Sequence, residues 1–129
     1  MELHLTPGLS GEKHDHVTGA NTALAYGSGT VEVYATPAMV GLMEGAAIAA
    51  LDAHLPAGYS SVGTEIHVRH TAATPIGMAV RATAKLFQID GRRLVFRLEA
   101  FDEREQIGSG THERFIVQLD KFLAKANGK

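Results

Sequence analysis

The chain has 129 residues, of which 45% are hydrophobic and 20% charged, with a formal net charge of −2 and no cysteine. This composition is typical of one globular domain, residues 1–129, with a single core. The near-neutral charge argues against broad attraction to nucleic acid or membranes, and the lack of cysteine excludes disulfides and thiolate chemistry. We see no signal-peptide pattern and no apolar run long enough to cross a bilayer, so we expect a cytoplasmic protein.

The first third of the chain gives the weakest pattern. Residues 1–5 alternate weakly and could begin an edge strand, and residues 13–17 predict a short strand because turn-forming residues flank them. Residues 21–30 are rich in glycine, alanine and serine, which predicts a loop. Residues 31–34 form a short β-branched and aromatic run that leads into the next element.

Residues 36–55 predict a long helix. Thr36 is a good N-cap, Pro37 suits the first helical position, and Pro56 ends the helix. The apolar positions leave no wide polar face, so we expect burial on most sides. Glu44 sets a charge within that surface, and a buried carboxylate is costly unless it is paired.

After the helix the hydrophobic period changes to two, which is typical of half-buried strands. Four such segments follow, at residues 62–70, 78–89, 94–100 and 106–119. Asp90 and Gly91 indicate a hairpin turn, and Gly108 and Gly110 indicate a bend or bulge in the last strand. Residues 120–129 form a polar tail with at most one helical turn.

This pattern predicts an α+β fold, an antiparallel sheet of four or five strands wrapped around one long apolar helix. Exposed sheet edges need protection. We therefore expect a homodimer that pairs through a sheet edge, and a higher oligomer is compatible with the same reasoning.

Two ionisable side chains are predicted to face the core. Glu44 lies on the helix, and strand parity places His70 on the apolar face of its strand. If the sheet wraps the helix, the two can meet and supply a base, or a nucleophile with its base, for acyl transfer or hydrolysis. Thr36 adds a hydroxyl at the helix N-terminus, where free amides favour developing negative charge. The alternative is a structural Glu–His pair with an ordinary cap, and the pattern alone favours neither interpretation.

The remaining histidines give weaker signals. His14 and His16 would share a strand face, as metal ligands can, but neither a cysteine nor an HExxH spacing accompanies them. We therefore expect no metal site and no cofactor. His67 falls on the polar parity of its strand. Three more are expected at the surface, His4, His54 and His112.

Three blocks of the sequence resemble a known family. They are ATPAMVGLMEGAA at residues 35–47, SVGTEIHVRHTAATPIG at residues 61–77, and DGRR followed by IGSGTHERFIV at residues 107–117. The chain is similar here to the fluoroacetyl-coenzyme A thioesterases and their relatives with the hot-dog fold. The resemblance implies a catalytic set of Thr36, Glu44 and His70. It also implies that the Gly63 amide contacts the thioester carbonyl and that Arg114 lies near the substrate.

The activity that this resemblance implies is hydrolysis of an acyl-CoA thioester. His70 would act as general base, Glu44 would attack the acyl carbon or orient the water, and Thr36 would bind or activate the reacting oxygen. The fluoroacetyl-specific members look to have a phenylalanine-bearing lid before the threonine. Here that segment reads GSGTVEVY, and Tyr26 and Tyr34 are the aromatic residues near it. We therefore expect a different small or medium acyl-CoA.

Two other activities stay open at this point. The first is an enoyl-CoA hydratase or dehydratase with the same fold, which the HTAATPIG block argues against. The second is a non-catalytic module that binds acyl-CoA.

Overall fold

The computed structural model describes residues 3–129, which form a five-stranded antiparallel sheet packed against one long helix. The strands are β1 (Ser10–His16), β2 (Tyr59–His70), β3 (Ala79–Asp90), β4 (Arg93–Asp102) and β5 (Gln106–Gln118). The helices are α1 (Ala23–Tyr26), α2 (Thr36–Leu51) and α3 (Leu119–Asn127), and a 3₁₀ turn (Asp52–His54) follows α2. The predicted α+β fold is confirmed.

The strand order in the sheet is β1-β3-β4-β5-β2, so β1 and β2 are the two edge strands. Helix α2 crosses the inner face and packs mainly on β1 and β3, while it touches β2 only lightly. The core forms between the two layers. Its largest apolar members are Met39, Met43, Leu51, Leu86, Leu94, Phe96, Leu98, Ile107 and Ile116.

The start of α2 differs from the prediction in one important respect. Ala35 is the N-cap residue and makes no side-chain capping bond, while Pro37 lies in the first turn as expected. Thr36 is therefore the first residue of the helix, and the N-cap assignment is wrong. Its hydroxyl is instead 2.8 Å from Nδ1 of His70. The Thr36 hydroxyl therefore contacts a side chain distant in sequence rather than a backbone amide of its own helix.

One face of α2 is open to solvent, contrary to the expected burial on most sides. Ile48 is 37% exposed, and the side chain of Glu44, one turn earlier, is 38% exposed. The opposite face is fully covered, by contacts through Met39, Leu42, Met43, Ala46, Ala47, Ala50 and Leu51. Glu44 and Ile48 therefore lie on the face of α2 that the sheet leaves uncovered.

Strand β2 carries a bulge that shifts its side-chain alternation. The register against β5 slips between Gly63 and Glu65, so Thr64 is exposed although the alternation predicted it on the inner face. Beyond the bulge, Val68 and His70 keep the predicted face and are half-buried. The bulge lies where Gly63 approaches Glu44, because a Cβ at Gly63 would be 3.0 Å from Oε2 of that carboxylate.

The two ends of the chain also differ from the prediction. Residues 3–5 form no strand, and Met1 and Glu2 lie outside the described residues. β1 begins three residues before the predicted strand, and residues 21–30 include α1, which Thr22 caps through a bond from the Ala25 amide. The tail forms α3, nine residues long rather than one turn. Within residues 3–129, no helix combines the length and apolarity that a membrane span requires.

Glycine at position 110 lets β2 and β5 approach closely. A Cβ at Gly110 would meet the carbonyl oxygen of His67 and lie 2.8 Å from the Cα of Val68, both backbone atoms of the paired strand. We expect Gly110→Ala to lower the free energy of unfolding by about 3 kcal/mol, since the paired backbones must separate. Gly19→Ala, where a Cβ meets nothing within 4 Å, is the control and should change stability by about 0.5 kcal/mol or less. Equal denaturation midpoints for the two variants would contradict this packing.

Gly108 also allows a close approach, here to the helix. A Cβ at this position would lie 2.6 Å from the sulfur of Met39. The predicted bulge is present beside it, because the β4–β5 register slips between Ala100 and Phe101.

Candidate active site

Thr36 and His70 form the first half of the site. Thr36 opens α2 and His70 ends β2, and the Thr36 hydroxyl oxygen lies 2.8 Å from Nδ1 of the imidazole. The ring of the buried Tyr34 meets the imidazole edge-on, with centroids 6.5 Å apart and planes at 85°. The hydroxyl and the aromatic ring together hold the imidazole in one orientation.

The environment of His70 favours a neutral ring. Burial lowers its pKa below the usual value for histidine, and the backbone of Ala72 opposes this only in part. The Nε2 atom is buried and has no hydrogen-bond partner within residues 3–129. A neutral imidazole with an uncommitted nitrogen is suited to take a proton from a reacting group.

A cavity of about 320 Å³ lies next to this pair. Small or polar side chains line it on the side of α1 and the loop after β2. The lining residues are Ala23, Ser28, Val33, Tyr34, Thr36, His70, Thr71, Ala72 and Ala73. The cavity can therefore bring a small organic group against the Thr36 hydroxyl.

Glu44 belongs to a second cluster, further along α2. Its Oε2 lies 3.8 Å from Nη1 of Arg114 and 4.0 Å from Nε2 of His112. A Cβ at Gly63 would lie 3.0 Å from the same oxygen, so glycine leaves room for the carboxylate beside the β2 bulge. The Glu44 carboxylate, the Arg114 guanidinium and the Gly63 backbone therefore lie next to one another.

Arg114 is fixed by bonds from two of its nitrogens to Ser61. The side chain is buried, and Nε donates to the Ser61 hydroxyl at 2.8 Å while Nη2 donates to its carbonyl at 2.9 Å. Nη1 remains directed towards Glu44 and His112. Fixing a guanidinium at several points gives it a defined direction.

The two clusters do not meet within one chain. Thr36 and Glu44 are eight residues apart on α2, a separation of about 12 Å along the helix axis. Among the described residues, His70 and Glu44 make no ion pair within 4.0 Å, so the expected direct pair does not form inside a single copy. Within residues 3–129, the cluster of Thr36 and His70 therefore has no carboxylate beside it, and the cluster of Glu44 and Arg114 has neither the Thr36 hydroxyl nor the His70 imidazole.

Comparison with known proteins identifies the family. The model of the fluoroacetyl-CoA-specific thioesterase family, FlK, matches residues 17–120. A fluoroacetyl-CoA thioesterase from Streptantibioticus cattleyicolor is 52% identical over 98 residues, which are 76% of this chain and 70% of that protein. This chain belongs to the FlK family.

Solved structures agree with the FlK assignment. A structure of the fluoroacetyl-CoA thioesterase FlK superimposes with a TM-score of 0.90 at 42% identity, covering 97% of both chains. A thioesterase superfamily member from Thermus thermophilus superimposes with a TM-score of 0.88 at 30% identity, covering 95% of this chain and 90% of that one. The hot-dog fold that the sequence resemblance implied is confirmed.

One residue beside Glu44 and Arg114 was not predicted to lie there. His112 was expected at the surface, but it is 2% exposed, and that expectation is wrong. Its position shares strand parity with Arg114 and the buried Ile116, a signal that would have placed the ring inward. The residues 3–129 contain no cluster of three or more histidine or acidic side chains able to hold a metal ion.

The lowered pKa of His70 leads to a prediction for the pH profile. As a general base His70 would be active when its ring is neutral, so we expect kcat/KM to rise with pH through a midpoint below 6.5 and to be flat around pH 7. Because the unfolded chain binds this proton more readily, the same group should also destabilise the fold as the pH falls below 6.5. Initial rates measured from pH 5 to pH 8 check the first point. An acid limb centred clearly above 6.5 would contradict it.

Proposed function

We propose that this protein is an acyl-CoA thioesterase that hydrolyses a small or medium acyl-CoA to the carboxylate and free CoA. The observation that carries the proposal is the bond between Thr36 and His70, which leaves the buried Nε2 without a partner beside a cavity. Membership of the FlK family supports the same reaction. Variants of FlK have been solved in complex with acetyl-CoA, and with fluoroacetate and CoA.

The working site is proposed to lie between two copies of the chain. β2 is an edge strand, and the face of α2 that carries Glu44 and Ile48 is uncovered. If two β2 edges pair antiparallel, their helices lie side by side. Two-fold symmetry then makes every contact occur twice, so Thr36 of one copy can face Glu44 of the other. Each dimer would hold two complete sites, and pairing of dimers into a higher oligomer would leave them intact.

In the proposed reaction the acyl group lies in the cavity beside Thr36 and His70. The thioester oxygen, which gains negative charge, is met by the Thr36 hydroxyl, the first amides of α2 and the Gly63 amide of the partner subunit. A preorganised donor of this kind contributes about 3 kcal/mol to transition-state stabilisation. Arg114 holds the Glu44 carboxylate in position.

The chemistry can follow two routes with the same products. In one, Glu44 orients a water that adds to the acyl carbon, His70 takes its proton, and the C–S bond breaks to release the CoA thiolate, which is then protonated. In the other, a Glu44 oxygen attacks the acyl carbon and expels the thiolate, and water hydrolyses the resulting anhydride. Mass spectrometry of acid-quenched enzyme distinguishes them, because an acyl adduct on Glu44 forms only in the second.

The lining of the cavity supports an acyl group other than fluoroacetyl. Four residues of the segment before Thr36 line the cavity, Ala23, Ser28, Val33 and Tyr34, and no phenylalanine is among them. The larger apolar residues of this segment, Leu24, Tyr26 and Val31, are all more than half exposed. At about 320 Å³ the cavity has room for a chain longer than two carbons, and we expect the highest kcat/KM with such a substrate.

Release of free thiol from a panel of acyl-CoA esters tests this function. We expect turnover with short and medium chains and no hydration when an enoyl-CoA is supplied. Hydration of the enoyl-CoA without thiol release would replace the proposal with a hydratase. Binding of the esters with neither reaction would replace it with a non-catalytic binding module.

A further inference from the structure

The buried ring of His112 has a partner at each nitrogen. Nδ1 lies 2.8 Å from the carbonyl oxygen of Glu65, and because a carbonyl only accepts, Nδ1 carries the proton and donates it. Nε2 lies 3.1 Å from Nη1 of Arg114, and because a guanidinium only donates, Nε2 accepts. The two contacts fix a single neutral tautomer.

The charges around the ring favour the same state. Burial lowers the pKa of His112, and the Arg114 charge lowers it further, against the raising effects of the Glu65 backbone and of the Glu44 and Glu113 carboxylates. A protonated ring would direct a second donor at Nη1 and break the contact. At neutral pH the ring is therefore an acceptor for Arg114.

This contact supplies what the Ser61 bonds do not. Ser61 accepts from Nε and Nη2, which fixes one edge of the guanidinium. Nη1 lies between the His112 ring and Glu44, at 3.1 Å from the ring nitrogen and 3.8 Å from the carboxylate oxygen. The ring is thus the group that holds the Glu44-facing end of the guanidinium.

We propose that His112 is a positioning residue, which acts through Arg114 to hold the Glu44 carboxylate in its reactive orientation. The inference rests on the proposed function, because Glu44 is the reacting carboxylate there. His112 itself is 4.0 Å from that carboxylate and does not bond it directly. Its effect should therefore fall on the chemical step rather than on substrate binding.

Two substitutions of His112 separate its two contacts. Asn at this position can still donate to the Glu65 carbonyl but no longer reaches Arg114, whereas Gln can present an acceptor where Nε2 stood. We expect His112→Asn to lower kcat by about 10- to 100-fold with KM changed less than about threefold, and His112→Gln to recover most of kcat. Equal kcat in both variants, or a loss that appears only in KM, would overturn the proposal.

A double-mutant cycle with Arg114→Lys tests whether the effect passes through arginine. If it does, adding His112→Asn to Arg114→Lys should cost little further activity, whereas independent roles would give multiplied losses.

Nitrogen NMR of the wild-type His112 ring is a readout that needs no activity and no folded variant. It should show a neutral ring protonated at Nδ1, and protonation at Nε2 would overturn the proposal. If the wild-type protein releases no thiol, the proposed function is refuted, whereas the NMR result still decides which nitrogen of His112 carries the proton.

Discussion

Replacing Glu44 by glutamine should reduce thioester hydrolysis by about 10³-fold, within the 10²- to 10⁴-fold range typical of a lost catalytic base or nucleophile. The amide keeps the shape of the side chain but can neither attack the acyl carbon nor orient the attacking water through a negative charge. The Glu44 side chain is partly exposed and contacts Arg114 only at 3.8 Å, so the fold should survive. Steady-state kinetics and the thermal unfolding midpoint of the same sample check both points.

A matched control separates this loss from a general change in charge. Glu99 lies on β4 with its side chain exposed on the outer face of the sheet, and Glu99→Gln should retain wild-type kcat. Near-normal turnover in Glu44→Gln would remove the carboxylate from the mechanism. Equal losses of kcat in Glu44→Gln and Glu99→Gln would indicate an effect of net charge.

Substituting His70 by alanine should lower kcat by a similar factor, about 10³-fold. The variant loses the acceptor of the reacting proton and also releases the Thr36 hydroxyl from its 2.8 Å contact. The acid limb of the pH profile should disappear with it, because that limb reports the titration of His70. The measurement is a pH–rate profile of the residual activity.

His67 gives the control for this second prediction. It lies on the same strand, its side chain is exposed, and it makes an ionic contact at 3.2 Å with the exposed Glu65. His67→Ala should keep both the rate and the pH profile of the wild type. An unchanged acid limb in His70→Ala would show that another group is the base.

The elements that follow simple periodicity were predictable from sequence. Helix α2 and strands β2 to β5 were placed within a few residues, because apolar side chains recur every three to four or every two positions there. Glu44 and His70 were selected as ionisable groups on inward positions. His70 does lie on the inner face of its strand, whereas Glu44 lies on the uncovered face of α2 and in a separate cluster.

What sequence could not predict depends on irregular or distant contacts. The bulge between Gly63 and Glu65 changes which residues face inward, and one glycine within a strand pattern does not specify at which residue the register slips. The hydroxyl of Thr36 binds a side chain 34 positions away rather than its own helix. α3 was underestimated since its mean hydropathy is low and its apolar residues are spaced for one face only.

The expected Glu44–His70 pair does not form within one chain. Strand and helix periodicity predicts which side chains face the core. It does not predict whether two such side chains lie at the same height along α2. Thr36 contacts His70 and lies about 12 Å from Glu44 along α2, so Glu44 and His70 do not pair within one chain. The uncovered face of α2 and the free edge of β2 then favour completion by a second copy.

Subunit complementation tests this central claim most directly. Thr36→Ala and Glu44→Gln chains, each with a different affinity tag, are produced together, and the mixed dimer is isolated by two successive affinity steps. Light scattering should give twice the 13.7 kDa of one chain. Each parent dimer should be nearly inactive, because both of its sites lack an essential group.

The mixed dimer has one site that combines both substituted residues and one that combines both native residues. If Thr36 of one copy works with Glu44 of the other, the mixed dimer should recover about half of the wild-type kcat per dimer. If each site lies within one chain, the mixed dimer contains no intact site. Thiol release no higher than that of the parents would contradict the shared site.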